Sequence, residues 1–400
     1  MKTNLSILIS LFAFIQAVHA QNTWLQKAYY PGTGVFRTSG FSIGNYGYIG
    51  TGAAPYTVDF WAYDPTNDIW TQKADFGGPT RYDAIGLSIG NKGYIGTGQD
   101  SFGYRKDFWE YDPANNTWTQ KASFNGTPRA RTISFNIGSK GYIGTGKDSS
   151  GYRRDFWEYD PLTDIWTQKS DFGGTARMWA TGLAIGSKGY LIAGLDSIDV
   201  ENDIWEYNPS NDTWQQKSNF GGPPRMMATG FTIGTKGYIG CGVGASLYND
   251  FWEYNPLTGV SVQMADFGGG PNQGAVGFAI GNRGYFVMID DWLLWQKDLW
   301  QYVPNSATII DENFAQNSTT VSPNPFTSQL TITLSPHHAI TSSPLSISIH
   351  NTLGQTVYHN TEINLSNHTK TLDLSYFSNG IYLIEVMMDG ERKVQRVVKQ

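Results

Sequence analysis

The chain is 400 residues long, with a formal net charge of -6, 16% charged and 14% aromatic residues, 46 glycines and one cysteine. That balance speaks against a nucleic-acid binder and against a polybasic membrane surface, both of which need clustered positive charge. The lone Cys241 leaves no internal disulfide, so stability rests on packing rather than crosslinks.

Residues 1–20 read as an export signal. Lys2 supplies the positive start, Leu5 to Ala17 is mostly apolar, and Val18-His19-Ala20 ends in small residues at a cleavage point. The apolar run is shorter than the roughly 20 residues that span a bilayer. A mature chain starting at Gln21 is expected, with no transmembrane segment.

From there the chain repeats itself. Asp107-Phe108-Trp109-Glu110-Tyr111-Asp112-Pro113, followed by Trp118, returns in five further versions. Their first tryptophans are Trp61, Trp109, Trp157, Trp205, Trp252 and Trp300, so the steps are 48, 48, 48, 47 and 48 residues by subtraction. A fixed period of this size signals a repeat architecture. Gly-Tyr-Ile-Gly-Thr-Gly keeps nearly the same period from Gly47, Gly93 and Gly141, and recurs in altered form at Gly189, Gly237 and Gly284. Within the unit Arg129 to Lys169, strand-like runs lie at Thr132 to Ile137, Gly141 to Gly146, Asp155 to Tyr159 and Ile165 to Lys169. Compact turns at Gly138 to Gly141 and Asp160 to Asp164 contrast with the long polar connection Lys147 to Arg154. Four antiparallel strands repeated six times predict an all-β fold of blades around an axis.

These units resemble kelch repeats of β-propellers. The likeness rests on Pro128-Arg129 and Pro224-Arg225 before a first strand, on a tyrosine-bearing second strand ending in glycines, and on Trp or Tyr in the third and fourth strands. It covers roughly Asn22 to Val303, although Gly-Thr-Gly stands where the family has adjacent glycines and the sixth unit reads Val287-Met288-Ile289. The resemblance implies a six-bladed kelch-type propeller, like the central domain of galactose oxidase, over residues 21–303. Asn22 to Ala28 matches the fourth-strand segment Asp68 to Ala74, while the sixth unit stops after three strands. The N-terminal strand is therefore expected to complete the last blade, which pairs two exposed edges.

Residues 304–320, rich in Asn, Ser and Thr, read as a linker. Residues 321–400 predict a small Ig-like β-sandwich, with strand signals at Leu330 to Leu334, Ile347 to Gly354, Leu372 to Ser375 and Asn379 to Ile384. Pro323-Asn324-Pro325-Phe326, the turn at Leu353 to Gln355, Gly380-Ile381-Tyr382 and the basic end Lys393 to Lys399 together resemble the C-terminal sorting domain of the type IX secretion system of Bacteroidota. That resemblance implies the type IX machinery as a partner and a secreted or cell-surface location.

Copper chemistry of the galactose oxidase kind needs imidazole ligands. The six histidines are His19 in the export segment and His337, His338, His350, His359 and His368 in the tail, so the propeller region has none. Copper oxidation and His-based acid-base or Ser-His-Asp schemes are accordingly not expected, and neither is a cofactor. The glycine runs recur without a following helix and do not read as a dinucleotide loop. Cys241 occupies the place of Thr97 and Thr145 and reads as strand filler.

Counting back nine places from the glycine that ends the first strand, at Gly90, Gly138, Gly186 and Gly234, gives Arg81, Arg129, Arg177 and Arg225, a secondary ring suited to bonding loop carbonyls. Counting back seven gives Arg37, Asp83, Arg131, Trp179, Met227 and Gly274, where identity changes from unit to unit as a shaped pocket requires. In a four-stranded up-and-down blade these positions share a face with the long connections Gln99 to Lys106, Lys147 to Arg154, Leu195 to Asn202, Val243 to Asn249 and Asp290 to Lys297. The last of these carries Trp292 and Trp295, rings suited to a sugar or a protein partner. Asp100, Asp148, Asp196, Asp199 and Glu201 offer oxygen ligands for calcium or a carboxylate pair, against the plainer reading of solvated loop charge. The expected function is glycan or protein binding without catalysis. A carbohydrate-active enzyme of epimerase or mutarotase type, using Arg and carboxylate groups without copper, is the alternative, and a structural surface-layer role comes third.

Overall fold

The computed structural model describes residues 22–33, 37–53, 55–288, 297–304, 319–334, 345–351, 356–363, 369–388 and 391–400. The export segment, most of the linker, and Trp292 and Trp295 lie outside the described residues. The chain divides into a unit Met1–Asn305 and a unit Ser306–Gln400. Every regular element among the described residues is a β-strand.

The first unit holds six four-stranded antiparallel sheets. In chain order their first strands are Ser39–Ile43, Ile85–Ile89, Ile133–Ile137, Thr181–Ile185, Thr229–Ile233 and Val276–Ile280. First strands of successive sheets lie against one another, and that of sheet six lies against that of sheet one. These strands bury alternate residues, the period-two pattern of a pleated strand. Second strands such as Lys140–Gly144 are buried at all but their first residue, because neighbours cover both faces. Glycine is required there: a Cβ on Gly189 would lie 2.3 Å from Cε2 of Phe135 in the preceding sheet.

Sheet six is completed from the far end of the chain. Thr23–Lys27 pairs antiparallel with Leu299–Val303, Trp24 facing Tyr302 and Gln26 facing Trp300. The outer turns show that this strand fills the fourth position. Asp164 Oδ1 accepts Ala122 N of the preceding sheet's outer strand end at 3.0 Å, and Asn116 Oδ1 accepts Ala74 N at 2.9 Å. Asp68 Oδ1 accepts Ala28 N at 3.0 Å in the same way. The Trp70 indole N–H donates to Ala28 O at 2.9 Å, as that of Trp118 donates to Ala74 O at 3.1 Å.

Connections between second and third strands differ from sheet to sheet. In sheets two and three they form small hairpins, Gln99–Asp100 on Gly103–Tyr104 and Lys147–Asp148 on Gly151–Tyr152. In sheet four the expected loop Leu195 to Asn202 is largely strand. Lys188–Leu195 and Val200–Asn208 pair beyond a bulge between Ile192 and Gly194, because a tight turn at Asp196 lets the ladder continue.

The secondary-ring arginines are almost wholly buried, at 0% to 1% exposure. Each guanidinium grips an aspartate two places before the repeated tryptophan of a third strand: Arg81 with Asp107, Arg129 with Asp155, Arg177 with Asp203 and Arg225 with Asp250. The Arg177 pair is bidentate, at 2.5 and 3.0 Å. The same guanidinium donates to Ala193 O at 3.0 Å and stacks on Phe172 at 5.0 Å, while the Trp205 indole N–H donates to Asp203 at 2.7 Å. For Asp155, burial pushes the carboxyl up, but the Arg129 hydrogen bonds and charge, with Trp157, outweigh it and hold the group below the usual range. Asp107 is held down alike by Arg81 and Trp109.

The second unit packs a three-stranded sheet (Thr319–Ser322, Gln329–Leu334, Thr369–Asp373) and a four-stranded sheet (Thr356–Ile363, Leu345–Asn351, Gly380–Met388, Glu391–Lys399) around one core. Phe326, Leu330 and Leu372 meet Ile347, Ile384 and Val397 in that core. The basic end read from the sequence is a strand paired along the whole of Gly380–Met388. Phe326 is locked beside it, donating to Val398 O at 2.8 Å and accepting Gln400 N at 2.9 Å.

Trp24 packs edge-on against Phe251 and Phe267, each at 4.8 Å. Trp24→Ala is therefore expected to destabilise the first unit by roughly 3–5 kcal/mol, read as a lower urea midpoint. Arg177→Met strands the Asp203 carboxylate and is expected to cost a similar ~3–5 kcal/mol, with Asp203→Asn in the same chain recovering part of it. Because Asp107 and Asp155 have lowered folded-state pKa values, their stabilisation is complete at neutral pH. It is lost as pH falls below the ordinary aspartate range, which acid titration of the folded fraction checks.

Candidate ligand-binding site

The segment entering each first strand carries one residue in the left-handed backbone region: Arg37 (φ 51°), Asp83 (54°), Arg131 (62°), Trp179 (55°), Met227 (57°) and Gly274 (68°). A non-glycine residue held there costs on the order of 1–3 kcal/mol, so five in one column mark an imposed geometry. What imposes it is a chain of backbone hydrogen bonds from sheet to sheet. Asp83 N donates to Arg37 O (3.2 Å), Arg131 N to Asp83 O (3.1 Å), Trp179 N to Arg131 O (3.1 Å), Met227 N to Trp179 O (2.9 Å) and Gly274 N to Met227 O (2.9 Å). The left-handed turn aims each N–H at the previous carbonyl.

The side chains on this ring converge. Arg37 Nη1 and Arg131 Nε both donate to Asp83 Oδ2 at 2.9 Å, so one carboxylate oxygen bridges two guanidiniums. Both guanidiniums also stand over the Trp179 ring, at 5.0 and 4.6 Å from its centroid. The Asp83 side chain is 5% exposed, against 18% for Arg37 and 15% for Arg131, so the guanidiniums form the accessible surface. Trp179 Nε1 is buried with no hydrogen-bond partner. Met227 is buried beside Gly274, where a Cβ would come within 3.1 Å of its Cε. Arg131 further contacts Met178 Sδ at 3.9 Å, a neighbour that column counting does not reach. The cluster carries two cations and one anion on an aromatic floor, an arrangement suited to carboxylate or hydroxyl groups.

The long connections join the same face. Isolated bridges tie Tyr82 to Gln99, Ala130 to Lys147, Met178 to Leu195 and Met226 to Val243, linking each ring segment to its connection. The acidic residues of these connections are turn anchors. Asp100 accepts Phe102 N and Gly103 N and pairs with Arg105; Asp148 accepts Ser150 N, Thr127 Oγ1 and Arg153 Nε. Burial pushes the Asp196 carboxyl up, yet the Asp199 and Ile198 N–H groups hold it down to about 2. Glu201 beside it is raised, first by burial and then by the charge of Asp203. Among the described residues no group of three His, Cys, Asp or Glu is placed to hold a metal ion. Cys241 is fully buried at φ 58°, and burial pushes its thiol up. The arginines Arg81, Arg129, Arg177 and Arg225 do not join the ring cluster, being engaged in the clamps.

A separate cleft of about 250 Å³ lies at sheet three, lined by Thr127, Tyr152, Arg153, Arg154, Asp171 and Ala176 and floored by the Arg129 and Asp155 clamp. Column counting misses it because its walls come from three separate connections.

Residues 320–400 match the family described as the secretion system C-terminal sorting domain. The solved structure titled "Structure of YjhT", a propeller-like protein, is similar with a TM-score of 0.59 and 16% identity, covering 70% of this chain and 98% of that one. At that identity the likeness concerns the fold. No curated protein matches the sequence significantly. No helix among the described residues is long and apolar enough to cross a membrane. The sorting domain marks proteins exported by type IX secretion, and it places this all-β, propeller-like chain at the cell surface or in the extracellular space.

Proposed function

We propose that the six sheets are the blades of a kelch-type β-propeller closed by the N-terminal strand, and that the tail is an Ig-like β-sandwich read by the type IX machinery. The propeller binds a glycan or protein ligand through its long-loop face, without catalysis. The observation that carries this reading is the convergence of Arg37, Asp83, Arg131 and Trp179 from four different sheets onto one partly accessible cluster. Guanidiniums over an indole provide directional donors and a flat apolar surface, the combination that holds polyhydroxylated or acidic groups. Asp83 Oδ2 already accepts from both arginines, which suits holding a ligand better than transferring a proton. Met227 stands next on the same ring, and Trp292 and Trp295, which the sequence assigns to this face, lie outside the described residues.

Screening the full chain on a glycan array and against surface extracts is expected to yield a ligand whose affinity falls about 10- to 100-fold in Arg131→Ala and Trp179→Ala, the loss of one charge-assisted contact. Retained thermal unfolding shows that those variants are folded, and parental affinity in both overturns the site. Removal of residues 320–400 is expected to leave the protein inside the outer membrane, checked by fractionation.

A further inference from the structure

Four of the six sheets contain the same clamp, and each guanidinium in it meets three groups. These are an aspartate carboxylate, the carbonyl five places after the second strand's first residue (Thr97, Thr145, Ala193 or Cys241), and a phenylalanine ring at 4.9 to 5.1 Å. Sheet six keeps all three but not the arginine. Asp298 is 9% exposed, Met288 follows the second strand, and Phe267 is 2% exposed. At the arginine position stands Asn272, whose side chain is several bonds shorter.

The backbone there is seated as in the clamped sheets. Gly242 N donates to Asn272 O at 2.7 Å and Asn272 N to Tyr248 O at 3.1 Å; the Arg177 counterparts are 2.7 Å from Gly146 and 3.2 Å to Arg153. Met288 N donates to Asp298 O at 2.8 Å, as Cys241 N does to Asp250 O at 3.1 Å. A Cβ on Gly268 would lie 2.8 Å from Trp300 Cζ3, the same as Gly221 to Trp252 Cζ3. Only the polar atoms differ. Asn272, 3% exposed, has a buried Oδ1 with no hydrogen-bond partner, and Trp300 Nε1 is also buried and unpartnered. Trp252 Nε1, by contrast, donates to its clamped aspartate at 2.7 Å. Among the described residues no ion pair reaches Asp298. Sheet one shows another way of doing without a clamp: Asp59 accepts from Thr33 N at 2.7 Å, Thr57 Oγ1 at 2.8 Å and Trp61 Nε1 at 3.4 Å.

We infer that the sixth sheet binds a guanidinium group supplied by a ligand, the head of an arginine side chain, seated between Asp298 and the Phe267 ring with Asn272 Oδ1 as an added acceptor. A buried carboxylate without a counter-ion is costly, and its relief drives binding. The geometry selects a planar cation over a compact one, since in-plane acceptors flank an aromatic face. At sheet three the cleft reaches the Arg129 and Asp155 clamp from the surface, which shows that a clamp can be approached from outside.

The test is thermal unfolding of the full chain in methylguanidinium chloride, with sodium chloride and methylammonium chloride at equal concentration as controls. At about 20 mM, well below denaturing levels, methylguanidinium alone is expected to raise Tm by roughly 2 °C. Asn272→Arg is expected to raise Tm without ligand and to abolish the response. Asp298→Asn abolishes it too, and decides the matter if the first variant does not fold. N-acetyl-arginine amide separates the sources: a rise shows that an arginyl residue enters, and a rise with methylguanidinium only shows that small guanidinium compounds do. No rise with either, or an equal rise in Asp298→Asn, overturns the inference.

Discussion

The first unit depends on one strand pairing. Leu299–Val303 would present an open edge, and Thr23–Lys27, more than 270 residues away by subtraction, covers it. An unpaired edge is both an aggregation hazard and a loose end from which sheets can peel. With it covered, every sheet has four strands and each outer turn has a preceding strand end to hold. The Asp68 to Ala28 bond in sheet one depends directly on that pairing. Cooperative stability in the unit is thus expected to track the joining of its two ends, and such a long-range contact makes folding slow.

Within each sheet, charge is used far from water. The arginine clamps are not surface ion pairs of negligible worth, because both partners are largely buried and the guanidinium fork is matched by carboxylate, carbonyl and ring. Each clamp fixes a third strand relative to the segment entering the first strand of the same sheet, so it helps to set the height of the residue two places further on. Arg129 thereby positions Arg131, and Arg177 positions Trp179. The inner ring is shaped by the clamps without containing them.

Much of this was legible in the sequence, for reasons that can be stated residue by residue. Alternation identified Ile165–Lys169 as a strand, although only Trp166 in it is buried. The match of Asn22 to Ala28 with Asp68 to Ala74 located the strand that completes the sixth sheet because both segments make the same turn contacts. The clamps were half legible. The arginine column was visible, but its aspartate partners, 26 residues on in three sheets, were not linked to it. Three further strands of the tail, Thr319–Ser322, Thr356–Ile363 and Glu391–Lys399, were hidden by polar and basic residues that interrupt the apolar pattern. The left-handed ring was hidden too, since Arg, Trp and Met carry no local signal for positive φ. Only Gly274, standing in the same column, hinted at it.

That column shows how an invariant backbone carries a variable site. The left-handed conformation is enforced by a backbone hydrogen bond to the carbonyl of the preceding sheet, so the side chain is released from holding the backbone ring together. A position whose conformation is guaranteed by its neighbours can change chemistry without changing shape. Arg37, Asp83, Arg131, Trp179 and Met227 are five outcomes at one geometric position, and their mutual contacts arise because the ring brings them within reach across sheets. The opposite logic governs Asn272. There the position belongs to the clamp column, where the side chain itself does the holding, and its replacement leaves acceptors that the fold built for a cation.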